Sequence, residues 1–257
     1  MIGLVLAVLA IGLGIFLTRQ RNRLVLNAEY WVYCQAEKLP DQTQMMERVV
    51  GRTDKIGPAE GLLFSDIRLH VSLVTKAKNP HLFDPTTLDG ALQESFEFVS
   101  DVLTQTAIIR VRFTSNEPMK DKRHLRLLPH LAFAYAGMTD AKWVYDKSQQ
   151  KLYGDEEFGK FIETNLENPW NQLRVDKTVD GALKLYGVEK IGIAPFQTDR
   201  LDVDQFQLVE EVLRAFVEQC WRANKLDTTA IEAHGDTFEF QFDARKGLLH
   251  ISRRRTA

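Results

Sequence analysis

A group of five basic side chains is the first candidate for binding chemistry. Two alternate on one face of a predicted strand and three stand at the start of a predicted helix: Arg110, Arg112, Lys122, Arg123 and Arg126. Guanidinium and ammonium groups that share a surface can hold a phosphate or a carboxylate through charge-assisted hydrogen bonds. The spacing therefore predicts a surface for an anion or a partner, with a solvated charged face as the alternative interpretation.

A Gly-Asp-Thr sequence near the end of the chain is the second candidate. Gly235, Asp236 and Thr237 stand directly before an alternating apolar strand pattern. Glycine reaches positive φ without steric cost, and Asp and Thr side chains form hydrogen bonds to nearby backbone groups. The pattern predicts a turn, and contact of Asp236 with a ligand is the second interpretation.

The remaining reactive residues form no catalytic or metal-binding motif. The six histidines are scattered, HExxH and GxSxG are absent, and neither cysteine belongs to a CxxC. Gly187 and Gly192 resemble part of a phosphate loop, but Ile193 follows where a P-loop needs lysine. The carboxylates of 155–157 and 210–211 are explained by a helix start and by the solvent side of a helix. We predict no catalytic residue, no metal site and no cofactor.

Composition and charge exclude several classes of protein. The 257 residues are 44% apolar, and 33 Lys and Arg stand against 35 Asp and Glu, for a net charge of −2. That apolar fraction can bury a core, which argues against an intrinsically disordered chain. A dedicated nucleic-acid binder usually has a basic balance. We therefore expect a folded domain without a nucleic-acid partner.

The first 17 residues are all apolar or glycine, and a basic segment follows them. An 18-residue helix spans about 27 Å, close to the hydrocarbon thickness of a bilayer. The pattern predicts a transmembrane anchor over 1–18 and a basic juxtamembrane segment over 19–27 that contains Arg19, Arg21 and Arg23. A cleaved signal peptide and a buried soluble helix are the alternatives. The lack of a basic residue before the apolar run argues against the signal peptide.

The arginines also predict the orientation of the chain. They follow the apolar run, and no Lys or Arg precedes it. The positive-inside rule then places the N-terminus outside and residues 28–257 in the cytoplasm. We expect a single-pass protein of the cytoplasmic (inner) membrane, with the lipid bilayer as one partner.

Beyond residue 24 the chain alternates between strand and helix patterns. The clearest are a helix at about 203–223, a hairpin at about 142–153 and a final hairpin at about 238–252. A further helix is predicted from residue 86 or 87 to 103, with one apolar face made by Leu88, Leu92, Phe96, Val99 and Leu103. The order predicts an α+β fold, with an antiparallel or mixed sheet, helices packed on one face, and ferredoxin-like or split-βαβ elements.

Short motifs in the second half resemble a known family. The segment Leu183–Gly192 contains Tyr-Gly-Val-Glu-Lys-Ile-Gly, and the sequence His-Gly-Asp-Thr opens the last hairpin. This chain is similar to a family of uncharacterised bacterial domains with a Tyr-Gly-x-Glu-x-x-Gly strand and a late Gly-Asp-Thr turn. The resemblance covers about residues 28–252 and implies no activity, so no site residue follows from it. The apolar N-terminus departs from that family's pattern.

A weaker resemblance is one of architecture. ZipA, the tether of the bacterial division ring, also has an N-terminal span and a cytoplasmic split-βαβ domain, and 80–85 of this chain resembles its Phe-Asp pair after a Lys/Pro loop. ZipA-like chains place a long Pro/Gln-rich linker between anchor and domain, and this chain lacks one.

Together these patterns predict a membrane-anchored protein without enzymatic activity, acting as a protein-interaction or scaffold module with an unknown protein partner. An enzyme or small-ligand-binding domain with an unrecognised site is the alternative. A deep pocket with converging polar groups favours the alternative, whereas a shallow apolar sheet face favours the module.

Overall fold

The strands of this chain form two β-sheets, and helices pack on each of them. A computed structural model describes residues 26–50, 66–117, 119, 121–202, 205–223, 226, 229–243 and 245–255. Within these ranges the strands are β1 (Leu26–Cys34), β2 (Leu69–Thr75), β3 (Ala107–Ser115), β4 (Trp143–Asp146), β5 (Lys151–Gly154), β6 (Arg174–Lys177), β7 (Leu183–Tyr186), β8 (Phe196–Thr198), β9 (Ala230–Ala233), β10 (Asp236–Asp243) and β11 (Leu248–Arg255). The helices are α1 (Gln42–Val50), α2 (Gly90–Gln93), α3 (Phe96–Val102), α4 (Arg123–Met138), α5 (Asp155–Ile162), α6 (Pro169–Gln172) and α7 (Phe206–Ala223), with 3₁₀ helices at Pro80–Phe83 and Val188–Ile191. The predicted α+β class is confirmed.

Sheet 1 contains the first five strands in the order β2-β3-β1-β4-β5, and every neighbouring pair is antiparallel. Because β1 and β2 both run antiparallel to β3, they are parallel to each other with β3 between them. Together with α1, which connects them in the chain, they have the arrangement of a split βαβ unit.

Helices cover both faces of sheet 1. The side chains of Tyr30, Val32, Ile109 and Val111 are buried in one core with α1, α4 and α5. On the other face, an aromatic core forms beneath the first 3₁₀ helix, α2 and α3, with Trp31, Tyr33, Phe83, Phe98, Trp143 and Tyr145 as its aromatic residues. The prediction of helices on one face is wrong for this sheet. The physical reason is that β1 is apolar on both sides, so both sides must be covered.

Sheet 2 contains the remaining strands in the order β6-β7-β8-β11-β10-β9, and only the pair β8–β11 is parallel among the described pairs. Alternation in β10 sends Phe238 and Phe240 inward and leaves Glu239 and Gln241 exposed. The amphipathic helix α7 covers the inner face, and the ring of Phe216 stacks on that of Phe240 with centroids 4.2 Å apart. This sheet has the half-covered arrangement that the alternating sequence predicts.

The single helix predicted from about residue 86 to 103 is instead two short helices. α2 ends at Gln93, and Ser95 begins α3 by accepting a hydrogen bond from the backbone N–H of Phe98 at 3.3 Å. The break places α2 and α3 on separate helical axes, so the apolar periodicity does not form one buried stripe. Leu88, Leu92 and Phe98 are buried, whereas Phe96 is exposed.

The predicted anchor over 1–18 lies outside the described residues, as does most of the juxtamembrane segment over 19–27 with Arg19, Arg21 and Arg23. Among the helices that are described, none combines the length and the apolar character needed to cross a bilayer.

Candidate functional site

The five basic residues are divided between two faces of sheet 1. Alternation along β3 puts Arg110 and Arg112 on the face opposite the one on which α4 packs. Lys122, Arg123 and Arg126 stand in and just before the first turn of α4. The structure therefore does not gather the set into one surface.

Glu29 forms ion pairs with both strand arginines. Its carboxylate is nearly buried, with Arg110 donating from Nε at 2.9 Å and the Nε of Arg112 at 3.6 Å. Arg112 also donates to Asn27 at 3.2 Å. These arginines are held by groups of the same sheet, and their binding of an external anion stays a prediction.

The helix-start cations have partners as well. The Nζ of Lys122 donates to the backbone oxygen of Trp221 at 2.6 Å, and burial lowers the pKa of Lys122. Arg123 forms an ion pair with Asp121, and the Nε of Arg126 lies 3.3 Å from Glu167. Lys122 thus links the start of α4 to the end of α7.

Gly235 lies in a turn, as predicted, whereas Asp236 and Thr237 are the first residues of β10. His234 and Gly235 both have positive φ, at 54° and 79°, and connect β9 to β10. Asp236 accepts a hydrogen bond from the Nε of Arg253 at 2.6 Å, and Thr237 pairs with Glu232 in the ladder. The positive-φ turn at Gly235 is confirmed, but Asp236 bonds to Arg253 of β11 and not to the nearby backbone, and a ligand contact there stays a prediction.

A buried polar cluster, which we call the Lys190 cluster, lies where the two sheets meet. It is built by the segment 186–192, in which two left-handed glycines flank the second 3₁₀ helix. At Gly187, φ is 94° and a Cβ atom would lie 2.3 Å from the backbone oxygen of Gln172, so only glycine fits. This tight turn directs Lys190 into the interior.

The Lys190 cluster contains Lys190, Asp146, Tyr30 and Gln172. The Nζ of Lys190 lies 2.8 Å from Gln172 Oε1 and 3.3 Å from the hydroxyl of Tyr30, and it forms an ion pair with Asp146. Both charged side chains are 0% exposed. Asp146 also accepts from the backbone N–H of Gln149 at 3.0 Å. Tyr30 and Asp146 come from sheet 1, and the other two members come from elements next to sheet 2.

The Lys190 cluster contains groups of the kinds that enzymes use, but it is closed to solvent. Burial lowers the pKa of Lys190 and raises that of Tyr30. A lysine with a lowered pKa beside a carboxylate and a phenol is a set that enzymes use for nucleophilic attack or proton transfer. A substrate must reach such atoms, and these are fully enclosed. The arrangement therefore joins the two sheets.

The motif at 186–192 does not by itself assign a role to Lys190. The sequence signal for it is a lysine in a four-residue stretch that is bounded by two glycines and has apolar ends, Val188-Glu-Lys-Ile191. A buried lysine needs a carboxylate partner. Nothing in the sequence identifies Asp146, which is 44 positions away.

Two groups beside the cluster have opposite effects on the pH dependence of stability. Burial raises the pKa of Glu189 from 4.5 to about 7, and burial lowers the pKa of His124 from 6.5 to about 4. Between pH 4.5 and 7 the folded chain keeps the Glu189 proton that the unfolded chain releases, so stability falls as pH rises. Between pH 4 and 6.5 the unfolded chain holds the His124 proton, so stability rises as pH rises.

Replacing Glu189 with glutamine is expected to reveal the His124 contribution. The free energy of unfolding of Glu189→Gln should rise from pH 4.5 to 6.5 by up to about 1.4 kcal/mol per pH unit. In the parent protein the opposing Glu189 contribution flattens this slope. Urea unfolding at a series of pH values measures the slope of the unfolding free energy in each protein. Equal slopes in the two proteins contradict the raised pKa of Glu189.

An exposed apolar surface lies on α3. Phe96 is 85% exposed and Leu103, directly after the helix, is 57% exposed. With the half-buried Val99 they stand at positions i, i+3 and i+7, on one side of the helix. We call these three residues the α3 stripe.

An open depression of about 330 Å³ adjoins the start of the α3 stripe. It is lined by residues that include Glu94, Ser95, Trp143, Leu152, Lys151 and Arg174. Its two basic residues are paired, Lys151 with Glu157 at 3.1 Å and Arg174 with Asp176 at 2.7 Å. No cation among the described residues forms an ion pair with Glu94.

Two further depressions lie elsewhere in the described part of the chain. One, of about 960 Å³, lies between the loop 35–41 and the end of α4. His250 lies beside a depression of about 740 Å³, with its Nδ1 2.6 Å from the carboxylate of Asp199. Among the described side chains, no three His, Cys, Asp or Glu residues are placed to hold a metal ion.

No family model, no curated protein and no solved structure matches this chain. The resemblances to an uncharacterised bacterial family and to ZipA-like proteins therefore stay predictions.

Proposed function

We propose that the protein is a membrane-tethered interaction module whose binding surface is the α3 stripe. The observation that carries this proposal is the exposure of Phe96 and Leu103 on one side of α3, while Phe98 and Val102 of the same helix are buried. Exposed large apolar side chains that cluster on a soluble surface mark interaction sites. The helix is thus anchored by one side and presents the other.

The position of the α3 stripe in the fold suits a tethered module. The anchor precedes β1, which begins at Leu26 and ends at Cys34 about 27 Å away. α3 leads into β3 at the Cys34 end, where the backbone N–H of Thr106 donates to the oxygen of Cys34 at 3.1 Å. The stripe is therefore near the end of sheet 1 that lies far from Leu26, the residue at which the proposed tether joins the sheet.

The tether predicts a topology. A reporter fused after Ala257 is expected to give a cytoplasmic signal, because Arg19, Arg21 and Arg23 hold their flank inside. Paired reporters, one active only in the cytoplasm and one active only outside it, measure this. An external signal contradicts the proposed orientation.

The binding surface predicts a cross-linking pattern. A photoreactive amino acid at Phe96, in the full chain in its native membrane, is expected to give adducts with another protein. The same group at Val179, which is fully exposed on the β6–β7 turn, is the control and is expected to give none. Equal labelling from the two positions, or none from Phe96, contradicts the proposal.

A small-ligand-binding function is the second candidate, and the His250–Asp199 pair favours it. A carboxylate 2.6 Å from one ring nitrogen fixes the orientation of the imidazole toward an open depression. A ligand held there raises the melting temperature of the parent protein and leaves that of His250→Gln unchanged.

A further inference from the structure

We propose that β2, an edge strand of sheet 1, pairs with β2 of a second copy of this chain. The two strands run antiparallel about a two-fold axis at Val71, and they join the two copies of sheet 1 into one continuous sheet. β2 is not part of the α3 stripe, so the inference goes beyond the proposed function.

The lack of protection on β2 is the first argument. A strand at the edge of a sheet presents unpaired backbone groups, and natural proteins shorten such strands or place charges on them. The other three edges of the described sheets follow this rule, because β5, β6 and β9 have four residues each and each contains at least one charged residue. β2 has seven residues and contains no Asp, Glu, Lys or Arg. It is therefore the edge that is open to pairing.

An apolar depression beside β2 is the second argument. Leu69, Val71 and Leu73 pack toward the core that α1 and α4 cover, but they are only half-buried. A depression of about 330 Å³ opens next to the first two, and its lining also includes Leu39, Pro40, Met45, Leu131 and Tyr135. A further strand at this edge brings apolar side chains to this depression and removes its apolar surface from water.

The sequence of β2 matches its own copy, and this match selects the occupant. With the axis at Val71, Leu69 of one copy stands opposite Leu73 of the other, and Val71 stands opposite Val71. On the opposite face of the sheet, the exposed His70 stands opposite the exposed Ser72. Residues directly opposite in an antiparallel pair share a face. Apolar side chains therefore meet apolar ones, and polar side chains meet polar ones.

Charges just beyond the ends of β2 agree with this register. It brings Lys76 of one copy near Asp66 of the other, at both ends of the pair. Within its own chain Asp66 forms an ion pair with Arg68, and the Nζ of Lys76 donates to a backbone oxygen at 2.6 Å. An axis shifted to Ser72 brings Lys76 near Arg68 instead, and like charges that stand opposite each other destabilise a pair. The first register is therefore preferred.

Disulfide cross-linking of single cysteines tests the axis. In Val71→Cys the two thiols face each other, with Cα atoms about 4.5–5.5 Å apart, which is within the range of a disulfide. Mild oxidation of the full chain in neutral detergent is expected to give a disulfide-linked dimer. Thr75→Cys, at a half-buried position of the same strand, is the matched control. Its two copies lie about 26 Å apart in this register and are expected to stay unlinked. The native Cys34 and Cys220 are buried and are the same in both variants.

Two charge variants test the contact without a covalent bond. Val71→Lys and Val71→Glu each place like charges at the axis, and each is expected to raise the dimer Kd at least about tenfold. Mixing the two variants sets lysine opposite glutamate and is expected to return Kd to within about threefold of the parent value. Recovery in the mixture also shows that both variants are folded, because an unfolded chain presents no strand. Sedimentation equilibrium of the full chain in neutral detergent measures each Kd.

Three results overturn the inference. The first is a parent that stays monomeric at about 100 μM, which is expected if another segment of the same chain or a strand of another protein covers β2. The second is equal cross-linking from positions 71 and 75, and the third is a mixture of folded charge variants that stays monomeric. Phe96→Ser, on the α3 stripe, should leave the dimer Kd unchanged, so the failure of this inference and that of the proposed function are separate results.

Discussion

Replacing Lys190 with methionine is expected to lower the free energy of unfolding by about 3–5 kcal/mol, because it leaves a buried carboxylate without its partner. The Nζ of Lys190 and the carboxylate of Asp146 are both fully enclosed, and Tyr30 and Gln172 complete the network. Methionine fills a similar volume, so the loss reports the broken charge pair and not a cavity. Urea unfolding at pH 7 measures it.

The matched control for Lys190→Met is Lys151→Met. Lys151 pairs with Glu157 at 3.1 Å, but its side chain is 40% exposed, and such surface pairs contribute about 0–1 kcal/mol. Similar losses in the two variants would show that Lys190 is not enclosed in solution.

The change Phe216→Ala is also expected to cost about 3–5 kcal/mol, the usual range for a buried phenylalanine. Phe216 is 2% exposed, and its ring stacks on Phe240 under sheet 2. A domain with a total stability of about 5–15 kcal/mol loses a large part of it. Thermal and urea unfolding of the full chain in neutral detergent measure the change.

Phe96→Ala is the control for Phe216→Ala. Because Phe96 is 85% exposed, its truncation is expected to change stability by less than about 0.5 kcal/mol. A melting temperature unchanged by Phe216→Ala would mean that α7 does not cover sheet 2.

The parts of the fold that the sequence predicts are those in which one periodicity decides burial. In α7 the apolar residues recur at helical spacing, and in β10 they alternate, so each element shows which side must be covered. The β4–β5 hairpin and the turn at Gly235 follow in the same way from local residues. None of these predictions depends on which distant element provides the cover.

The features that the sequence does not predict depend on contacts between residues far apart in the chain. Phe96 and Leu103 have the same spacing as core residues, and only the break capped by Ser95 and the packing of Phe98 show which apolar residues face the solvent. The spacing of Arg110 and Arg112 likewise does not show that β1 places Glu29 beside them, and their binding of an anion stays a prediction. The pairing of strands decides which residues become neighbours, and this pairing cannot be read from a single sequence.

The strand order of sheet 2 has a consequence for how the chain is made. β11 lies between β8 and β10, although α7, β9 and β10 precede it in the chain. Without β11, the strands β6–β8 and the β9–β10 hairpin share no pairing among the described residues. A ribosome makes residues in order, so sheet 2 can close only after 248–255 have emerged from it. Until then the apolar side of α7 lacks its complete cover, and a nascent chain stalled before residue 248 is expected to bind chaperones that a chain released beyond residue 255 does not.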